Sequence, residues 1–256
     1  MQFTEHLFIS DVHIGAFSKE KESETEANLI ALIDYAIERN AALYVLGDFF
    51  DYWMEYPSGK YIPDIGKKIL DKFEEYNSKV YPAIYVTGNH DNWTFGHFEQ
   101  KGFDVEMESR VLTLGGKNVL IMHGDGKFGP RGDFLRPAFH RLLRSPSFIK
   151  VFQAIFPPKF GIWMMKKFSD LTRNRNHQNP KPLNEHAKRI LKSNDIDLVL
   201  CGHDHLPRTE TFNDGLYINL GTCFYHKSMV RYANNKFSLV KWHVESKEFV
   251  PYSGNI

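Results

Sequence analysis

The chain has 256 residues, 42% of them hydrophobic, and a formal net charge of +1, which allows one large or two small domains with a full core and singles out no polyanionic partner. Its two cysteines, Cys201 and Cys223, fall in no CxxC or CxxxC spacing, which argues against a structural zinc site and fits a reducing compartment. No segment approaches the roughly 18 apolar residues that span a bilayer, and Met1 to Glu5 has neither a basic nor a long apolar run, so no signal peptide is expected.

His6 to Ser10 reads as a buried strand that runs into Asp11. Residues 25–39 read as a helix with Ala27, Ile30, Ile33, Ala36 and Ile37 on one face, capped by Ser23 or Thr25. Ala42 to Leu46 is a second strand. Pro63 opens a second helix carrying Ile65, Ile69, Phe73 and Tyr76. Ala83 to Val86 is a third strand, and the β-α-β-α-β order predicts parallel strands with helices outside them. Val111–Leu114 and Val119–Met122, joined at Gly115-Gly116, predict a hairpin. Residues 124–183 read as a helical insertion, a cap within one domain spanning 1–256, with helices over about 137–143, 147–155 and 159–172. The strand Asp197–Cys201 and a strand-rich tail, 208–212, 216–220, 229–232 and 237–244, complete an α/β fold. The expected architecture is a four-layer α/β/β/α sandwich of two mixed sheets, with the cap over a metal site.

Five polar clusters end these strands: Asp11-Val12-His13, Gly47-Asp48-Phe49-Phe50-Asp51, Gly88-Asn89-His90-Asp91, His123-Gly124-Asp125 and Gly202-His203-Asp204-His205. Each offers a carboxylate, an imidazole or an amide oxygen, the donors that hard divalent cations take. Strand alternation predicts that Asp11 and His13, and likewise His203 and His205, point to one side. A lone Asp-x-His is a common chance pair; five such clusters in one chain are not. Two cations about 3.5–4 Å apart, bridged by a carboxylate, can clamp the attacking and leaving oxygens of a phosphoester.

In order and spacing the clusters resemble the signature of the calcineurin-like metallophosphoesterases: D-x-H, G-D-x-x-D, G-N-H-D/E, H and G-H-x-H. The resemblance implies one metal held by Asp11, His13, Asp48 and His205 and another by Asp48, Asn89, His123 and His203, with Asp48 shared. It implies a metal-bridging hydroxide as nucleophile, and His90 as the residue that stabilises the transition state. Asn89 and Asp91 belong to the same catalytic loop; Asp51 and Asp91 would orient ligands, with Asp91 hydrogen-bonded to His90 to make it a better proton donor. Two divalent ions are implied, Mn²⁺ first, with Mg²⁺, Fe²⁺ or Zn²⁺ as alternatives.

The segments Asp48 to Trp53, Asn89 to Trp93 and His123 to Gly126, followed by a basic helical insertion, are further similar to the UDP-2,3-diacylglucosamine diphosphatases of lipid A biosynthesis. Many members of that group carry Arg where this chain has His90. The resemblance implies cleavage of a phosphorylated, lipid-like substrate to 2,3-diacylglucosamine 1-phosphate and UMP, in the cytoplasm at the anionic inner-membrane surface. Residues 130–190 hold 13 Lys and Arg against three acidic residues, a local excess that suits such an anionic surface. Lys167, Arg173, Arg175 and Asn176 are the candidate substrate contacts, and Phe148 to Phe168 supplies apolar surface for acyl chains. A nuclease, cyclic-nucleotide phosphodiesterase or phosphatase on the same scaffold is the alternative reading. Interleaved large apolar side chains argue against nucleic acid, and the intact ligand set argues against a non-catalytic scaffold.

Overall fold

The chain begins with strands and helices in alternation: β1 (Glu5–Ile9), α1 (Lys19–Arg39), β2 (Ala42–Leu46), α2 (Lys67–Lys79), β3 (Ile84–Val86), α3 (His97–Gln100) and β4 (Asp104–Glu106). A hairpin follows, β5 (Ser109–Leu114) and β6 (Lys117–Met122), then the short pair β7 (Lys127–Phe128) and β8 (Phe134–Leu135). Next come α4 (Ala138–Leu143), α5 (Pro146–Ile155), α6 (Pro158–Arg173) and α7 (Lys181–Leu191). The chain closes with β9 (Leu198–Cys201), β10 (Arg208–Phe212), β11 (Gly215–Asn219), β12 (Ser228–Ala233), β13 (Lys236–His243) and β14 (Glu248–Pro251). This computed structural model describes residues 3–57, 60–128, 134–135, 138–173, 179–192 and 195–253, and side chains at 127–128, 134–135, 138–140 and 168–173 lie outside what it describes.

Two mixed sheets carry the fold, with strand orders β14-β13-β12-β1-β2-β3-β4 and β10-β11-β9-β6-β5. In the first, β1 to β4 run parallel and β12 to β14 pair antiparallel beside them. In the second, β6, β9 and β11 run parallel, flanked by antiparallel β5 and β10.

Side-chain alternation sorts the layers. Leu7, Ile9, Leu43, Val45 and Tyr85 point outward into a core shared with Leu29, Leu32, Ile33 and Ala36 of α1 and Ile69, Leu70 and Phe73 of α2. Their neighbours Phe8, Ala42, Tyr44, Leu46, Ile84 and Val86 face the second sheet, meeting Val119, Ile121, Leu198 and Leu200. Leu120, Met122, Val199 and Cys201 turn the other way, onto Leu183, Ala187, Ile190 and Leu191 of α7. The central strands are thus buried on both faces, which is why they read as continuous apolar runs. The result is the expected α/β/β/α sandwich. Both cysteines are free, and burial pushes each thiol up to about 12.

Several elements differ from their sequence expectation. α1 starts at Lys19, not Thr25; the Ser18 side chain accepts from the Lys21 amide, and Glu20 and Glu22 sit in the positive first turn. That turn is polar throughout, so hydrophobic periodicity misses it. Its buried face is Thr25, Leu29, Leu32, Ile33 and Ala36, rotated from the one read off the sequence. α2 begins at Lys67, past Pro63. α7 and β14 carry no expectation at all; α7 begins inside the segment read as the insertion, and its Leu183 packs into the sandwich.

α5 and α6 form a fourth apolar cluster against the sandwich rim. Ile149 and Phe152 pack with Tyr52, Met54, Tyr56 and Trp93. The Cβ of any residue at Gly161 would strike the Tyr56 hydroxyl, so α6 approaches that ring through a glycine. Val151 and Ile155 on α5 and Phe160 and Trp163 on α6 stay exposed, as does Leu142 on α4.

Candidate metal centre

The five clusters meet at the carboxyl ends of β1, β2, β3, β6 and β9, where parallel strands of α/β sheets present their loops. Backbone bonds continue the sheets past the strand ends: the Asp11 amide donates to the Gly47 carbonyl, and Val12 and His13 both donate to the Asp48 carbonyl. The Gly202 amide donates to the His123 carbonyl, so the second sheet adds its two clusters to the first sheet's three.

Strand alternation does not aim these residues. Asp11, His13, Asp48, His203 and His205 all have left-handed backbones, with φ of 50°, 54°, 49°, 72° and 62°. A non-glycine residue there costs about 1–2 kcal/mol, and such strain gathers at functional sites. The same-side placement of Asp11 with His13, and of His203 with His205, therefore comes from tight turns. Close approach explains two of the cluster glycines: a Cβ at Gly88 would meet the Asp48 carboxylate, and one at Gly202 would meet the Asp11 carboxylate and the Ser10 hydroxyl.

Two groups of donors result. In the first, Asp11 Oδ1 lies 3.2 Å from His205 Nε2 and 3.8 Å from His13 Nε2, and the two imidazole nitrogens are 3.2 Å apart. In the second, His123 Nε2 lies 3.2 Å from Asp48 Oδ2, from Asn89 Oδ1 and from His203 Nδ1. Asp48 belongs to this group and also to one with His13 and His90, so it stands between the two. His90 Nε2 is 3.9 Å from Asp48 Oδ2.

The donors are held from behind. Asp11 Oδ2 accepts from the Ser10 hydroxyl and from the His203 amide at 3.0 Å. Asp48 Oδ1 accepts from the His90 amide at 2.9 Å. His123 Nδ1 donates to the Leu46 carbonyl at 2.9 Å, which leaves its Nε2 as the inward atom. Arg208 grips Asp204 with both nitrogens, at 3.0 and 2.7 Å, and pins the turn carrying His203 and His205.

The arrangement suits cations. Asp11 Oδ1 is buried with no hydrogen-bond partner among the described residues, an unmet acceptor in a class that is almost always satisfied. Imidazole nitrogens paired at 3.2 Å repel unless a proton or a metal lies between them. The charges say the same. Burial alone would raise Asp11, yet His205 and His123 hold its carboxyl at about 2, and Asp48 lies well below the carboxylate range beside His123 and His90. Burial would lower His123, but Asp48 carries it up to about 10. Burial holds His13 down to about 3, with His90 adding to it, and His203 to about 4, with His123 adding.

The structure thus brings Asp11, His13, Asp48, Asn89, His90, His123, His203 and His205 together. It does not join Asp91 to His90. The Asp91 carboxylate accepts from the amides of Phe49 and Gly88 and from the Tyr85 hydroxyl, at 2.8, 2.6 and 2.6 Å. Being one residue on in a tight loop, Asp91 points back into the sandwich. The His90 ring instead donates from Nδ1 to the Asp51 carbonyl and packs at a 53° tilt against Tyr52, centroids 4.8 Å apart.

Of the cap residues singled out, Lys167 is exposed and makes no polar contact among the described residues. Its neighbour Lys166 turns inward, donating to the Gly15 carbonyl at 3.1 Å with its ammonium 3.4 Å from Asp51. Arg173 ends α6 with its side chain outside the described residues, and Arg175 and Asn176 lie outside them altogether. Sequence reading also missed Arg144, whose guanidinium reaches the loop after β3. One basic residue in a basic stretch carries no signal for that contact.

Comparison with known proteins places this geometry. The calcineurin-like phosphoesterase family model matches residues 6–207. A UDP-2,3-diacylglucosamine hydrolase of Coxiella burnetii is 26% identical over 238 residues, covering 90% of this chain and 93% of that one. One of Yersinia enterocolitica is 25% identical over 250 residues, covering 92% and 98%. Among solved structures, Yfce, a phosphoesterase from E. coli, aligns over 96% of both chains at 16% identity, with a TM-score of 0.49. With that family match spanning most of its length, the chain belongs to the calcineurin-like phosphoesterases and is a metal-dependent phosphoester hydrolase.

Proposed function

We propose that this hydrolase cleaves the pyrophosphate of UDP-2,3-diacylglucosamine, releasing 2,3-diacylglucosamine 1-phosphate and UMP. The observation that carries the reading is the similarity to hydrolases of that name over nine-tenths of the chain. The cap supports it: Val151, Ile155, Phe160 and Trp163 are 59, 63, 48 and 55% exposed on helices seated at the site's rim, apolar surface of the kind acyl chains require. Lys150, Lys159 and Lys167 are exposed among them, the mixture with which a peripheral protein meets an anionic leaflet. Among the described residues no helix is long and apolar enough to cross a membrane.

In this reading Asp11, His13, Asp48 and His205 hold one divalent cation, Asp48, Asn89, His123 and His203 the other, and manganese is the first candidate for both. When bound, the pair supplies Lewis-acid activation of water and of the phosphoryl group. His90 has its Nδ1–H committed to the Asp51 carbonyl, so a proton given to the leaving oxygen comes from Nε2, on the Asp48 side. Asp91 keeps the loop in shape through the Phe49 and Gly88 amides. Lys166, at the cap margin of the centre, offers a positive charge to the substrate's phosphates.

The test is UMP release. With Mn²⁺, the purified chain is expected to liberate UMP from UDP-2,3-diacylglucosamine and to cleave bis(p-nitrophenyl) phosphate slowly. Cleavage of the nitrophenyl ester with the lipid nucleotide left intact would overturn the substrate assignment and leave the phosphoesterase standing.

A further inference from the structure

Two adjacent cap residues grip the loop that carries Asn89 and His90. Arg144, just after α4, donates through Nη2 to the Gly88 carbonyl at 2.6 Å and to Asp125 Oδ2 at 3.2 Å. Through Nη1 it donates to Thr87 Oγ1 at 3.2 Å and to the Met107 carbonyl at 3.0 Å. The preceding Leu143 carbonyl accepts from Trp93 Nε1 at 2.9 Å. The loop Thr87 to Trp93 is therefore held at its entry by Arg144 and at its exit by Leu143. The same guanidinium reaches Asp125, two residues after His123, whose Nε2 faces Asn89 Oδ1. One cap side chain, itself only 9% exposed, thus cross-links two of the loops that build the second donor group.

Chemistry explains why this is an arginine. Four acceptors on three chain segments meet it, and a planar fork with several N–H groups serves them together where an ammonium serves one or two at a time. The cap is also seated by an apolar cluster, Ile149 and Phe152 on Tyr52, Tyr56 and Trp93.

We infer that Arg144 is a positioning residue for the catalytic centre: it sets the spacing between the Asn89–His90 loop and the His123 loop, and so couples the cap to the second cation position. The inference needs only phosphoester hydrolysis, not the lipid substrate.

Calorimetric titration with Mn²⁺, together with bis(p-nitrophenyl) phosphate turnover, tests it in Arg144→Lys and Arg144→Ala. Partners that orient metal ligands typically contribute about 10–100-fold in affinity or activity. One of the two Mn²⁺ affinities is expected to fall in that range while the other holds. kcat at saturating Mn²⁺ should fall about tenfold with KM little changed, and added guanidinium should restore part of the alanine variant's rate. Unchanged Mn²⁺ affinities with unchanged nitrophenyl ester turnover would overturn the proposal, since a mere cap anchor would spare both. Should either variant fail to fold, Trp93→Phe removes the indole N–H bond to the Leu143 carbonyl and keeps an aromatic ring in the cluster. It is expected to shift the same Mn²⁺ affinity in the same direction by a smaller factor, and no shift there would equally overturn the proposal.

Discussion

The sandwich and the cap bury their apolar residues in opposite styles. In the sandwich, Phe8, Val45, Leu46, Val86, Ile121 and Leu200 are within 1% of full burial, and the strands that hold them end in the strained turns of the site. In the cap, Ile149 and Phe152 are buried, while Val151 and Ile155 on the same helix and Phe160 and Trp163 on the next stay open. A rigid double-sided core can hold donors to a few tenths of an ångström against left-handed backbone strain. A one-sided layer with free apolar faces suits a large, deformable ligand. Under the proposed substrate assignment, the reaction belongs to the sandwich and substrate choice to the cap.

Breaking the sandwich side should be the more severe. Asp48→Ala removes the carboxylate that stands between both donor groups. Several kcal/mol of charge stabilisation go with it, or about a thousandfold in rate, and metal analysis should show loss of bound Mn²⁺. Full turnover in that variant would refute the shared-carboxylate assignment. His90→Ala should keep both cations, because the ring faces Asp48 only at 3.9 Å. Loss of a proton donor is worth about 10²–10⁴-fold. The effect should be large for a poor leaving group and small for p-nitrophenolate, which departs without a proton. Equal losses on both would show that His90 does something other than protonate.

Metal loading should depend on pH in a definite direction. Without a cation, Asp48 holds the His123 proton up to about 10, while His203 is held down to about 4. Between those values the pair carries one proton, which a cation must expel. Mn²⁺ affinity at that position is therefore expected to rise with pH from 6 to 9, by about tenfold per unit for one proton released. Calorimetry in buffers of different ionisation enthalpy checks the proton count; proton-neutral binding would contradict it.

What could be read in the sequence divides along the same line. The donors were legible because each follows an apolar strand whose double burial writes itself as an unbroken run, and because short-range turns carry the chemistry. The left-handed turns at Asp11 and His203 were not, since an aspartate and a histidine, not a glycine or asparagine, take the positive φ there. α1's polar first turn gave no periodicity. In α6, Phe160, Ile162, Trp163, Met164 and Met165 surround the helix so evenly that its phase is undetermined, and Lys166 could not be told from Lys167 until packing chose. Arg144's partners lie 19 to 57 positions away, beyond any local pattern.

The mildest prediction concerns the cap, and it separates the two regions most cleanly. Trp163 is 55% exposed and its ring lies 5.6 Å from Phe160, whereas Gly161 between them faces Tyr56 and Phe152. Trp163→Ala removes open apolar surface worth about 1–3 kcal/mol of contact if a chain lies on it, so KM for UDP-2,3-diacylglucosamine should rise about fivefold to a hundredfold. Turnover of bis(p-nitrophenyl) phosphate should not change, because nothing in the centre touches that ring. Gly161→Leu drives a side chain into Tyr56 and lifts α6, and Lys166 with it, from the rim; there both substrates should suffer, the lipid nucleotide more. If Trp163→Ala slowed the nitrophenyl ester as much as the lipid nucleotide, the cap would be part of the reaction centre rather than a surface for the substrate, and the contrast between the two regions would fail.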